Sequence, residues 1–456
     1  MLRKRDLLRI RLDSRLFWKL TIAIFRRRIM ISIVATPKTV KGSIPPAIPL
    51  PFRSLERPDF QNLRFDIYQT NKLYLACHQT SDLGKNEQWP EPCFRAGWEK
   101  YYSDEYAETG WEAVPDPDFP LDEQKERSGL FDLANLSLHP AACALHYAPA
   151  TFEGAKAMIS AKDRVVLFRP EMNAKRMQKT AGRLLLPKVP VDLFVEAVTK
   201  TVLANREFIP PFRRENWVWE TRDPRCMYVR PLLFGHGPEL GVKPAKDHLF
   251  MIFTSPVHVY WPANGIRILV TSQFHRAAPG GIGSVKAIGN YVSGLLPSAL
   301  AKRGYDWVDG RPVKVSDEPF HDVLYLDAVH NRYVEEFAGA NFVAITTGGA
   351  MVVPKSDSIL PGNTCDSLIK LAESEGWRVE IRPLPVEEIL DEKRIAEAFC
   401  TGNAAIITPI NELYYQGRFR PFRPEKNVKT QRLWDLFVGI QLQMLDDPFG
   451  WVKEIG

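Results

Sequence analysis

The chain has 456 residues, enough for two or three domains, and its 45% hydrophobic and 25% charged content is ordinary for a globular protein. Its formal charge of +6 invites a nucleic-acid reading, but ten Arg and Lys residues between Arg3 and Arg28 face only Asp6 and Asp13. Without that segment the remainder is near neutral, which argues against a nucleic-acid partner.

The basic segment carries Leu8, Leu12, Leu16 and Leu20 at i,i+4 spacing, the pattern of an amphipathic, acid-poor helix such as organelle transit peptides use. A mitochondrial presequence is one reading; a basic tail of a cytoplasmic protein, or a start codon placed too far upstream, are the others. Leu20 to Phe25 is too short to span a bilayer, and nothing later supplies the roughly 20 apolar residues required, so no membrane partner is predicted. Thr36 to Asp59 is rich in proline, which favours an extended arm. Residues 1–60 are therefore read as an extension.

Further on, Val165 to Phe168 reads as a strand. After Arg169-Pro170 a helix is predicted, with Met172, Met177, Ala181, Leu184 and Leu185 on one side and Pro187 as its stop. Leu249 to Phe253 and Ile266 to Thr271 read as strands, and the turn-rich Tyr260 to Gly265 between them places a boundary at 259–266. Past it come a helix at Leu295 to Lys302, strands at Val323 to Leu326 and Phe342 to Thr346, and a helix at Asp366 to Glu375. A strand at Ala404 to Ile407 and a helix from Thr430, with Leu433, Phe437, Ile440 and Met444 on one face, complete the pattern. This is an α+β chain in two unequal halves.

The six cysteines form no C-x-x-C pair and the nine histidines no H-E-x-x-H, so free thiols and no metal are expected. The conspicuous segment is Gly280-Gly-Ile-Gly-Ser-Val-Lys286-Ala-Ile-Gly-Asn-Tyr291, with glycines on both sides of one lysine. It fits neither G-x-x-x-x-G-K-[ST] nor a strand-borne G-x-G-x-x-G. Taken alone it is an ordinary loop lysine.

This segment resembles the cofactor-lysine region of the branched-chain amino-acid aminotransferases, fold-type IV enzymes dependent on pyridoxal 5′-phosphate (PLP), in which lysine is followed by a glycine-asparagine-tyrosine run. The likeness continues in order from about Leu145 to Ile410. The resemblance implies that Lys286 carries the cofactor and moves the proton, and that Tyr291 bonds the cofactor's phenolic oxygen. Leu145-His-Tyr147-Ala-Pro-Ala-Thr-Phe152-Glu153-Gly154 is similar to the family segment whose tyrosine and phenylalanine wall the substrate pocket, here Tyr147 and Phe152. Arg176, in Asn173-Ala-Lys-Arg176-Met, matches the phosphate-binding arginine, a role suited to the planar fork of a guanidinium.

Tyr228-Val-Arg230-Pro231 resembles the segment whose tyrosine holds the α-carboxylate and whose arginine meets glutamate's second carboxylate; Tyr260 falls at the interdomain tyrosine. Glu336, five residues before Asn341, matches the glutamate that faces the pyridine nitrogen, with Glu335 pointing away if the segment is a strand. Gly362-Asn363-Thr364, ahead of a helix, and Thr401-Gly402-Asn403-Ala404-Ala405 resemble the two turns of the phosphate cup. Asn403 is assigned there to phosphate, and Ala404 to the substrate carboxylate.

What the resemblance implies is a two-domain fold-type IV architecture, D-amino-acid aminotransferase-like. A smaller α/β domain would span 61–258 and a larger pseudo-barrel domain 267–456, in a homodimer. The implied reaction passes the amino group of L-leucine, L-isoleucine or L-valine to 2-oxoglutarate, with amino acids and 2-oxo acids as the partners. Three departures stand out: Asn403 where threonine is common, Cys365 where arginine is frequent, and extra residues from Asp309 to Asp322 where the helix is expected to run directly into a strand. The extra residues read as a surface loop or a splicing artefact. Other readings keep the fold: a specialised secondary-metabolism aminotransferase, a D-amino-acid aminotransferase, an aminodeoxychorismate lyase, or a non-catalytic binding protein. Tyr228-Val-Arg230-Pro argues against the second and third.

Overall fold

A computed structural model describes residues 138–456 except Val259, Ala263, Pro424 and Glu425, with short pieces between Asp59 and Gln79 and the strands Glu112–Ala113 and Leu130–Asp132. The basic segment, with its predicted helix, and nearly all of the proline-rich arm lie outside the described residues.

The first sheet is antiparallel throughout. Its order is Glu112–Ala113, Lys72–Gln79, Asp247–Val257, Cys226–Gly235, Ala155–Ile159, Val165–Phe168 and Val452–Glu454. The helices, numbered in chain order, are α1 (Cys143–Tyr147), α2 (Pro170–Arg183), α3 (Val191–Ala204), α4 (Leu295–Ala301), α5 (Asn363–Ser374), α6 (Val386–Leu390) and α7 (Val428–Gln441). Because strand side chains alternate, Val165 and Leu167 pack under α2 and α3 with Met177, Phe194 and Phe250, whereas Val166 and Met158 face the other way. That second face meets Leu368 of α5 and Leu433, Trp434 and Phe437 of α7, so one apolar cluster joins the two halves of the molecule.

The second sheet runs Val334–Phe337, Asp322–Leu326, Ile266–Thr271, Ile406–Tyr415, Ile395–Gly402, Asn341–Thr346, Met351–Pro354 and Val379–Arg382. Val334–Phe337 pairs again with Asn341–Thr346, which closes the strands on themselves. Ile266–Thr271 is parallel to both of its neighbours and buried on both faces from Ile268 onward, with Ile268 and Val270 on one and Leu269 on the other, hence the apolar run Ile268-Leu269-Val270. The chain is thus a two-domain α+β protein.

Several elements differ from the expectations. The α2 helix ends at Arg183 rather than at Pro187, because Leu185 takes a left-handed backbone (φ +55°), and its buried face includes Asn173 and Thr180. Where the helix is expected to run straight into a strand, Asp309 to Lys314 of the extra residues close a hairpin, Tyr305–Val308 with Arg311–Lys314, and the rest lead back to the strand that begins at Asp322. Ala404 and Ala405 lie in a turn, and the strand begins at Ile406. Met444 lies past the end of α7, and Val452–Glu454 crosses back to the first sheet.

Candidate active site

A cavity of about 380 Å3 opens between the two sheets, with Lys286, Arg176, Glu336 and Thr364 among its lining. The loop that presents Lys286 is held on every side. Asn290 donates its amide to the carbonyls of Ile282 and Val285, both at 2.8 Å, closing the loop from behind. The Lys286 N–H donates to Thr180 Oγ1 of α2 (3.0 Å), and its carbonyl accepts from Thr151 Oγ1 (3.0 Å). The amine Nζ donates to Tyr291 Oη at 2.9 Å and lies 4.6 Å from the Phe152 ring centre. Burial, then the charge of Arg176, brings the lysine pKa down to about 8, while burial pushes the Tyr291 phenol up to about 12.

Glu336 is 3% exposed and fully engaged. Its Oε1 meets Arg276 Nη2 at 2.6 Å and accepts the Leu360 N–H at 2.7 Å; Oε2 accepts from Asn341 Nδ2 at 2.9 Å. Burial outweighs these partners and raises its pKa to about 7. Glu335, on the opposite side of the strand as predicted, accepts a 2.6 Å hydrogen bond from Ser356.

Arg176 projects from α2 into a bidentate pair with Glu153, and its Nη1 donates to the Pro361 carbonyl at 3.0 Å. That last bond points it at the start of α5, where Gly362 is the N-cap. A Cβ on Gly362 would lie 1.9 Å from Asn341 Oδ1, so only glycine permits this approach. Thr364 Oγ1 donates to Asn403 Oδ1 at 3.1 Å, and Asn403 Nδ2 reaches the Gly154 carbonyl. The turn carrying Asn403 and Ala404 ends in Ile406 at φ +56°, a strained conformation for a β-branched residue.

On the remaining wall, Tyr228 packs its hydroxyl against Gly154, where a Cβ would come within 2.0 Å of it. The Arg230 guanidinium stacks over Phe152 (4.6 Å) and Tyr228 (5.1 Å), and among the described residues no carboxylate pairs with it. Tyr260 sits 5.0 Å from Phe65 at the cleft edge. Tyr147 is the exception. Ala148 takes a left-handed backbone (φ +53°) that turns Tyr147 toward the 237–241 segment, where its hydroxyl donates to the Leu240 carbonyl. It does not line the cavity.

The structure therefore gathers every predicted site residue except Tyr147, and adds Glu153 and Arg276. Glu153 stood inside a motif already singled out, but no spacing marks it as the partner of Arg176. Arg276 lies in an unremarkable stretch and is joined to Glu336 only by the fold. Among the described residues no cluster of His, Cys, Asp and Glu could hold a metal, and no helix is long and apolar enough to cross a membrane.

A desolvated lysine amine, a buried carboxylate and an anion cup at a helix start, all in one cleft between two α+β domains, define a lysine-centred group-transfer site. Residues 313–413 match the family described as amino-transferase class IV. Branched-chain-amino-acid aminotransferase 5, chloroplastic, from Arabidopsis thaliana is 36% identical over 325 residues, 70% of this chain and 72% of that one. The branched-chain-amino-acid aminotransferase of Haemophilus influenzae is 36% identical over 330 residues, 71% of this chain and 89% of the relative. Among solved structures, the branched-chain amino acid aminotransferase from Escherichia coli aligns with a TM-score of 0.56 and 26% identity, over 72% of this chain and 97% of the other. The chain belongs to the branched-chain-amino-acid aminotransferases of the class IV amino-transferase family.

Proposed function

We propose that the chain is a PLP-dependent transaminase that moves the amino group of L-leucine, L-isoleucine or L-valine to 2-oxoglutarate. The observation that carries this reading is that Lys286, Glu336 and Arg176 line one cavity, each immobilised by its own partners.

The residues present fit the cofactor. Asn363 Nδ2 is buried at the start of α5 without a hydrogen-bond partner. An anion at this helix start supplies that partner. Arg176, Thr364, Asn363 and the Asn403 turn would hold the phosphate, Glu336 the ring nitrogen, Tyr291 the phenolic oxygen, and Lys286 the aldehyde carbon.

When bound, PLP supplies an electron sink that makes the substrate's Cα proton acidic. The rest falls to the protein. Lys286 moves that proton, and a pKa near 8 leaves a useful neutral fraction of its amine at physiological pH. Tyr228 and the Ala404 turn hold the α-carboxylate. Arg230, which pairs with no carboxylate among the described residues, receives the second carboxylate of glutamate, while Phe152 and Tyr260 give the pocket an apolar side worth about 0.8 kcal/mol per buried methylene. The homodimer, the boundaries at 61–258, 259–266 and 267–456, and mitochondrial or cytoplasmic residence are parts of the same proposal.

The test is an assay of L-leucine and D-alanine side by side with 2-oxoglutarate. Glutamate should form with leucine alone. Turnover of D-alanine without leucine turnover overturns the reading.

A further inference from the structure

The cleft does not end at the lysine. Beyond Tyr291 a 3-10 turn, Ile288–Gly294, leads into α4, and Gly294, Leu295, Ser298 and Lys302 line the cavity in succession, the spacing of one helical face. The adjoining wall is built by the chain returning from the Tyr305–Lys314 hairpin, whose His321 and Asp322 line the same space. A second cavity of about 570 Å3 lies beyond, and Phe65, Tyr260, Trp261, Lys302 and His321 border both. The two share these five residues as a common border, where Tyr260 packs 5.0 Å from Phe65 and 4.8 Å from Trp261.

The returning segment is firmly seated. Phe320 is fully buried, and its N–H donates to the Ala301 carbonyl at the end of α4 (3.0 Å), which brings His321 beside Lys302. Arg267 holds the segment from below, pairing with Glu412 (2.6 Å) and donating to Ser316 Oγ (3.1 Å). Its backbone N–H donates to His321 Nδ1 at 3.0 Å, so in the neutral ring the proton sits on Nε2 and makes that atom a donor. Among the described residues no carboxylate pairs with Lys302. Asp322 is 9% exposed, and burial, against the Val323 N–H and the Lys302 charge, holds its pKa up to about 7. Below that value its neutral form predominates and can donate to an incoming anion. An end that offers an ammonium, an imidazole N–H and the Tyr260 hydroxyl needs an acceptor.

We propose that this outer end is a subsite for the distal carboxylate of an amino or 2-oxo acid longer than glutamate. Long-chain α,ω-dicarboxylic substrates are then accepted beside the branched-chain ones. The inference rests on the transaminase reading for its chemistry. Its length scale comes from the backbone: Tyr291 to Gly294 rises roughly 6 Å as a 3-10 turn and Gly294 to Lys302 roughly 12 Å as α-helix, and the lysine side chain leans back by roughly 6 Å. The ammonium thus stands roughly 12 Å along the axis from the Tyr291 backbone, too far for the γ-carboxylate of glutamate.

The experiment measures kcat and KM of the holoenzyme for L-glutamate, L-2-aminoadipate, L-2-aminopimelate, L-2-aminosuberate and L-leucine. In the wild type KM should fall as the dicarboxylate lengthens. Lys302→Ala should raise KM for 2-aminosuberate about tenfold or more relative to leucine, the loss of one hydrogen bond to a charged group. His321→Asn keeps an oxygen to accept the Arg267 N–H but lacks the Nε2 donor, and should give a smaller loss of the same kind. A wild-type KM that does not fall with chain length, or a Lys302→Ala variant that raises the leucine and aminosuberate KM equally, overturns the proposal. Calorimetry with suberic acid, which has no amine to transfer, separates the two readings. Binding that Lys302→Ala weakens supports the subsite even if leucine is not turned over, and absence of binding counts against the subsite alone.

Discussion

Glu153 grips Arg176 with both carboxylate oxygens, Oε1 accepting from Nε at 2.8 Å and Oε2 from Nη2 at 2.7 Å, at a point where Glu153 has no solvent exposure. Asn173 Nδ2 adds a bond to Oε2 at 2.9 Å. The arginine assigned to the phosphate is therefore aimed by a carboxylate on the neighbouring strand end. Glu153→Gln leaves the buried guanidinium without its counter-charge. Unfolding in urea should show a loss of about 3 kcal/mol, and a PLP titration a dissociation constant raised about tenfold or more.

Lys286→Ala should abolish turnover. The pH dependence of the native lysine follows from its pKa near 8, set first by burial and then by Arg176. Only the neutral amine is a nucleophile or base, so PLP uptake by the apoprotein should speed up as pH rises through about 8 and level off above it. Arg230 also lowers this pKa, and Arg230→Gln should move the midpoint upward, as stopped-flow absorbance would reveal.

How much of this could be read from the chain alone depends on the range of the interaction. Lys286, Tyr291, Glu336 and Asn341 lie in two short segments whose order and spacing carry them. The two strands Val165–Phe168 and Ile266–Thr271 are legible because both are largely buried on both faces and carry consecutive apolar residues, Val165 to Phe168 and Ile268 to Val270. Arg276 was not legible, because its contact with Glu336 spans sixty residues and is made only when Val334–Phe337 joins the sheet. Tyr147 stays out of this chain's cavity for a local reason: one left-handed residue, Ala148, directs it toward Leu240, and no pattern of apolar residues reports a single φ angle. The hairpin at Tyr305–Lys314 has a local signal in Asp309-Gly310, which favours a tight hairpin turn, whereas the family pattern the chain resembles has no counterpart for it.

Gly362→Ala tests the approach of the α5 start to the glutamate strand. The added Cβ, 1.9 Å from Asn341 Oδ1, must push Asn341 away from both Glu336 and the Leu360 carbonyl. The expected cost is about 1–3 kcal/mol, with weakened PLP binding in the same titration.

Asp327 predicts an acid sensitivity remote from the lysine. Burial pushes its carboxyl up, but the N–H groups of Arg332, His330 and Tyr333 outweigh this and hold it down at about 2. With a folded pKa below the unfolded value of about 3.9, its contribution is present above pH 4 and lost as pH falls through 2. Asp327→Asn should therefore lose on the order of 1 kcal/mol of stability at pH 7, seen as a lower Tm, and its Tm difference from wild type should shrink steadily between pH 4 and pH 2.

The most direct test of the lysine's role is the visible absorbance of the purified protein loaded with PLP, before and after L-leucine is added. The wild type should carry a bound-cofactor band that L-leucine shifts, and Lys286→Ala should lack that band. A Lys286→Ala protein that keeps the band and transaminates leucine at the wild-type rate would contradict the account.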